Sequence, residues 1–161
     1  MAISEPVVFF RERWMKIWVD ADAWPVAIKE ILYKAADRTQ INVTLVANQY
    51  LRVPKSEYIH VLVVDPELDA ADEEIVKVLQ DGDLIVTSDI PLAAEVIQKK
   101  ALALSPRGEI FSSENIGSLL NMRDFMHTLR ASDIETNGPA PLSAADRNQF
   151  ANHLNSILSS Q

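Results

Sequence analysis

The chain has 161 residues, 48% of them hydrophobic and 24% charged, which is enough for one domain with a sizeable core and ordinary for a globular protein. Its 23 acidic and 15 basic side chains give a net charge of −8, which argues against broad, sequence-independent adhesion to nucleic acid or an acidic membrane but leaves room for a local site. There is no cysteine, so disulfides, thiolate metal sites and cysteine nucleophiles are excluded, and any metal must be held by oxygen or imidazole.

Residues 1–14 have mixed charge and no clear period. Two readings stand: an N-terminal extension, not native to the fold, with Met15 as the natural start, or a small docking strand over Val7–Phe10. Those four apolar residues are too short for a secretion signal, and no stretch approaches the roughly 18 residues needed to span a bilayer, so a cytoplasmic location without a membrane partner is expected.

From Lys16 onward strand and helix alternate. Lys16–Ala21 is a β-branched and aromatic run; Pro25 then opens a helix whose apolar stripe is Ile28, Ile31, Leu32, Ala35 and Ala36. Ile41–Ala47 and Ile59–Val64 read as the second and third strands, separated by the polar stretch Asn48–Glu57. A helix is expected from Ala70 to Leu79 with Asp69 as N-cap, then a strand at Asp83–Thr87, a helix from Pro91 to Lys100 and a short strand at Ala101–Leu104. Asn115–Arg130, with Ile116, Leu119, Leu120, Met122, Phe125, Met126 and Leu129, predicts a helix packed on something large. After a Gly, Pro and Asn-rich break, Ser143-Ala144-Ala145-Asp146 is a capping box opening a last helix with Phe150, Leu154, Ile157 and Leu158 inward. The alternation implies right-handed βαβ crossovers and a three-layer α/β/α domain over residues 15–158, with a mostly parallel sheet whose strand ends share one rim.

Apolar runs in this chain repeatedly end in aspartate. Asp20 and Asp22 close the first strand, and Asp89 follows the fourth in Thr87-Ser88-Asp89. Asp72 precedes Ile75, Val76 and Leu79 by three, four and seven residues, which continues the buried stripe and aims it toward the rim. Several carboxylates converging at strand ends suit Mg²⁺ or Mn²⁺, cations that share their remaining positions with water and phosphate oxygens. Singly, each has a simpler role: Asp89 as a helix cap and Asp65 as a turn residue.

Basic side chains at compatible places are Arg52 and Lys55 after the second strand and Arg107 in Ser105-Pro106-Arg107-Gly108 after the fifth, with Asn48 also at the rim. Arg suits bidentate phosphate recognition; the plainer alternative for all three is a solvated loop charge or a partner of the acids, and Lys55 fits that alternative better. Arg123 interrupts an apolar helix and has either a structural ion pair or a substrate contact as its role. His60, His127 and His153 lack any ligand spacing. Trp18 belongs in the core, and Trp24 stands beside the acids as a wall or stacking surface.

Trp18-Val19-Asp20-Ala21-Asp22-Ala23, Val46-Ala47-Asn48-Gln49, Leu51-Arg52-Val53-Pro54, Thr87-Ser88-Asp89-Ile90-Pro91-Leu92-Ala93, Pro106-Arg107-Gly108 and Met122-Arg123-Asp124-Phe125-Met126, taken together, resemble the bacterial YaiI/YqxD family from Met15 to the last helix. That family is similar to PIN-like domains, nucleases with an acid-lined metal rim. The resemblance implies metal-holding and catalytic roles for Asp20, Asp72 and Asp89, with Asp22 as a fourth ligand. Three positions depart from the family pattern: Trp24 replaces a usual cysteine, Asn137-Gly138-Pro139 a double glycine, and Ser105 an asparagine.

The expected function is Mg²⁺- or Mn²⁺-dependent hydrolysis of phosphodiester bonds, in RNA, with Asp20, Asp22, Asp72 and Asp89 on the metal and Arg52, Arg107, Asn48 and Arg123 on the substrate. The alternatives are a non-catalytic module binding a nucleotide, RNA or protein at the same rim, and an interaction protein whose acids only cap helices.

Overall fold

A computed structural model describes residues 15–21, 25–66, 70–132 and 141–160. Residues 1–14, and with them both readings of that segment, lie outside the described residues, as do Asp22, Trp24 and Asp69.

Short β-branched and aliphatic runs build six strands: β1 (Ile17–Asp20), β2 (Val43–Ala47), β3 (Ile59–Val63), β4 (Leu84–Val86), β5 (Leu102–Leu104) and β6 (Ile110–Phe111). They form one sheet in the order β3-β2-β1-β4-β5-β6, parallel except for β6, which runs antiparallel to β5. The helices are α1 (Val26–Thr39), α2 (Ala70–Val78), α3 (Ile90–Gln98), α4 (Ile116–Ala131) and α5 (Ala144–Ser159). Among the described residues no helix is long and apolar enough to cross a membrane.

Alternation along each strand sends side chains to two separate cores. On one face Ile17, Val19, Val43, Leu45 and Val86 pack with Ile28 and Leu32 of α1 and with Phe150, Leu154 and Leu158 of α5. On the other, Val46, Ile85 and Ala103 pack with Ile75 and Leu79, with Leu92, Ala93 and Val96 of α3, and with Ile116 and Leu119 at the start of α4. Strand and helix together therefore make three layers, as the sequence pattern predicts. The stretch between β2 and β3 takes the place of a crossover helix: Leu51, Val53 and Tyr58 lie against the first core.

At the rim where β4 begins, Asp83 is only 5% exposed and is surrounded by donors. It accepts hydrogen bonds from the Lys16 and Gln80 backbone N–H groups, each at 3.0 Å, and from the Trp18 indole Nε1 at 3.1 Å. A buried carboxylate needs such pairing, so Asp83 serves as a structural tie between β1 and β4.

Two expectations change. β6 is not foreseen, because Ile110-Phe111 is too short to show a period. The packing expected of α4 is not found: no residue of this helix is buried, and Met122 and Phe125 are 59% and 57% exposed. Only Ile116 and Leu119, at its start, rest on the core. Sixteen residues of helix lie alongside the nine of α3, so among the described residues much of α4 has nothing beneath it.

Candidate functional site

The chain runs from β1 outward to β2 and β3, then crosses back to β4 on the other side of β1. Neighbouring connections diverge there, and the crevice beyond the carboxyl ends of β1 and β4 is where such sheets bind ligands. Asp20 is the last residue of β1, and the β1–β4 register pairs Val19 with Val86, which places Asp20 and Thr87 in the next rank, on the α2/α3 face.

Thr87 is fully buried. Its hydroxyl donates to Asp20 Oδ2 at 2.9 Å and accepts the Asp89 backbone N–H at 3.0 Å, so the hydroxyl rotor is fixed in both senses. Asp20 thereby presents an acceptor oxygen in a set direction and is tied to the turn that opens α3. Asp89 is the N-cap of that helix, accepting the Leu92 N–H at Oδ1, 3.1 Å. The simple reading of Asp89 holds, and the same residue also faces a cleft.

That cleft, of about 590 Å³, lies between α2, α3 and α4. Its charged lining is Asp72 and Glu73 from the first turn of α2, Asp89 and Glu95 from the cap and body of α3, Lys77, and Arg123 from α4; Val76, Pro91 and Leu92 supply the apolar part. Acids outnumber bases, and both α2 and α3 start at this rim, where their partial positive ends offset some of the negative charge. Asp72 and Asp89, separated by several elements in the chain, are thus brought to one cavity, and Thr87 connects Asp20 to it.

The acids do not close into a full ligand cage. Among the described residues, no three histidine, aspartate or glutamate side chains stand close enough to hold a metal ion. Asp22, the fourth proposed ligand, lies outside the described residues. Mg²⁺ commonly takes only one or two protein carboxylates and fills its octahedron with water and substrate phosphate.

Of the expected substrate contacts, Arg123 reaches the cleft, and its partner Asp124 is a surface ion pair at 3.4 Å. Such a pair holds the guanidinium only weakly. Asn48 and Arg52 are exposed in the segment after β2. Arg107 has a different engagement from the phosphate contact expected: its Nη1 pairs with Asp146 Oδ2 at 2.8 Å. Around it the turn is fastened to α5. Gly108, at φ +87°, lies where a Cβ would meet the Phe150 nitrogen at 2.5 Å, and its carbonyl accepts from His153 Nδ1 at 2.5 Å. Asp146 also accepts the Ser143 N–H at 3.0 Å, and Ser143 Oγ accepts the Asp146 N–H at 3.1 Å. The Ser143 backbone bond first, then its side chain and the Arg107 charge, hold the Asp146 carboxyl below its ordinary range.

Thr87, Lys77 and Glu95 are site residues that sequence reasoning misses. For Thr87 a signal exists: it is the one hydroxyl continuing the apolar run Leu84-Ile85-Val86, two residues before an aspartate.

With the rim described, the match to known proteins has a structural context. Residues 18–160 match the model of a family described as uncharacterized BCR, YaiI/YqxD. The chain belongs to the YaiI/YqxD family. A UPF0178 protein of Colwellia psychrerythraea is 60% identical over 144 residues, covering 89% of this chain and 95% of that one. UPF0178 proteins of Shewanella amazonensis and Hydrogenovibrio crunogenus are 60% and 58% identical, covering 89% of this chain and 97% and 95% of theirs. No solved structure matches the chain. The YaiI/YqxD match spans β1 through α5, so the Asp20, Asp72 and Asp89 rim and the Arg107–Asp146 clamp both fall within it.

Proposed function

We propose that this YaiI/YqxD protein is a Mg²⁺- or Mn²⁺-dependent phosphodiester hydrolase of PIN-like type, acting on RNA. The observation that carries the reading is that Asp89, tied through buried Thr87 to Asp20 at the switch point of the sheet, lines a cleft together with Asp72 and Arg123. A pair of the described acids, Asp89 with Asp20 or with Asp72, would hold the cation; when bound, it supplies Lewis-acid stabilisation of charge developing on a phosphate. Thr87 orients the Asp20 carboxylate. Arg123 from α4 and Lys77 from α2 bind phosphate oxygens and draw a polyanion toward a cleft that otherwise repels it.

The test is a calorimetric Mn²⁺ titration of wild type and Asp20→Asn, followed by cleavage of single-stranded RNA on the same samples. Stoichiometric Mn²⁺ binding that Asp20→Asn weakens at least tenfold, with cleavage by wild type alone, is expected. No cleavage of diverse RNA and DNA with either metal, at levels where a control nuclease works, overturns the reading. The acid excess of the cleft favours one second reading, a non-catalytic module. Metal-dependent binding of a nucleotide, RNA or protein without cleavage selects it.

A further inference from the structure

Helix α4 outlasts the core it starts on. Ile116 and Leu119 rest on the second core, Arg123 reaches the cleft, and the helix then continues for roughly 12 Å to Ala131. Ile116, Leu120, Arg123, His127 and Arg130, spaced four, three, four and three residues, share one face of it. That face changes character where it meets the cleft: Ile116 and Leu120 are apolar and half-buried, whereas Arg123, His127 and Arg130 are exposed. The side that docks the helix is thus continued, at the cleft and beyond it, by two cations and an imidazole.

Charge and register narrow what this face suits. The chain has a net charge of −8, yet α4 carries one acid, Asp124, and it falls outside the stripe. Asp124 holds Arg123 only through the exposed pair at 3.4 Å, and among the described residues Arg130 makes no ion pair. A cation in the last turn suits the negative end of a helix at any register; Arg130 in addition shares the register of Arg123. Met122 and Phe125, the exposed apolar residues of α4, lie away from the stripe, whereas the centre of a protein interface is apolar and poor in charge. Cations in a row outside an apolar patch suit the phosphates of a polyanion. From Arg123 to Arg130 the helix advances roughly 10 Å, about three nucleotides of a stacked strand at about 3.4 Å each.

We infer that this face of α4 is a phosphate track, on which Arg123, His127 and Arg130 hold successive backbone phosphates of a nucleic-acid strand as it leaves the acid cleft. The track rests on the phosphodiester reading above and names its substrate class: a polynucleotide that runs on for about three nucleotides beyond the cleft, rather than a mononucleotide or a dinucleotide. Because it grips backbone and not bases, it is indifferent to sequence.

The test measures fluorescence anisotropy of labelled single-stranded RNAs of ten and of two nucleotides with the full chain in EDTA, which keeps the strand whole, and follows cleavage separately in Mg²⁺ and Mn²⁺. Arg130→Gln is expected to weaken binding of the ten-nucleotide strand by about threefold to about tenfold, to lower the slope of log affinity against log salt by about 0.7, and to narrow the advantage of the longer strand over the shorter. Arg130→Lys keeps the charge and should keep most of the affinity. Lys34→Gln removes the same charge from an exposed position on α1, across the sheet from the cleft, and should match wild type. The urea midpoint of each variant should stay close to wild type, since these side chains are exposed. Affinity unchanged in Arg130→Gln, or lost equally in Lys34→Gln, overturns the track even where wild type cleaves RNA. Arg130-dependent binding without cleavage supports it and overturns only the hydrolase. No binding of the ten-nucleotide strand by wild type overturns the track and leaves this face to an acidic protein, while the cleavage assay decides the hydrolase on its own.

Discussion

Replacing Thr87 by valine removes one oxygen from the centre of the site and leaves its shape almost unchanged. Two hydrogen bonds go with it. The bond to Asp20 Oδ2 has a charged acceptor and is worth about 1.5–3 kcal/mol; the one from the Asp89 N–H is neutral and worth about 0.5–1.5 kcal/mol. A methyl in place of a buried hydroxyl returns about 1 kcal/mol. The balance is a loss of about 1–3.5 kcal/mol, read as a lower urea midpoint at unchanged slope. Thr87→Ser keeps both bonds and loses one buried methyl, about 1 kcal/mol, so the two substitutions separate hydrogen bonding from packing. Under the hydrolase reading, valine also removes the Thr87 bond that orients the Asp20 carboxylate and should weaken Mn²⁺ binding while serine retains it. A Thr87→Val protein as stable as wild type would refute the claim that this hydroxyl pins the two acid-bearing turns together.

Gly108→Ala should destabilise by about 2–5 kcal/mol, combining a left-handed backbone with a Cβ driven into the α5 backbone, whereas Gly82→Ala, at φ +86° but facing open space, should cost only about 1–2 kcal/mol; thermal melts of the pair check this. Equal losses would show that α5 gives way at no cost. Because the folded Asp146 carboxyl is held below its ordinary value of 3.8, its contribution is present above that value and lost as pH falls through the lower folded one. Protection against hydrogen exchange at the start of α5, taken relative to the intrinsic rate at each pH, should therefore fall on acidification below about pH 4 in wild type. In Asp146→Asn that protection should already be low at neutral pH and change little.

The layers of this fold were legible because each strand and helix carries its own period. Pro25 with the Ile28, Leu32, Ala35 stripe, and Ser143 with Asp146, place α1 and α5 from local chemistry alone, and the structure has them where the pattern puts them. The rim acids were legible for the same reason, since an aspartate closing an apolar run must lie at a strand end. For Arg107 the sequence left a phosphate contact and a partner acid both open, because a loop arginine looks the same whether it awaits a phosphate or grips Asp146, 39 residues on. The apolar residues of α4 were misread because a helical period shows which side is apolar, not whether anything lies beneath it.

By itself, then, the sequence determined every element but the short β6, and their alternation, from spacings of a few residues, while the family resemblance came from motifs spread along the chain. Tertiary structure decided what no local spacing encodes. Strand order put β4 beside β1, so that Thr87 meets Asp20 and the cap of α3, and helix packing brought Asp72, Asp89 and Arg123 to one cleft. Each of these is a contact across the fold, and its energy depends on where distant segments pack rather than on what their neighbours in the chain are.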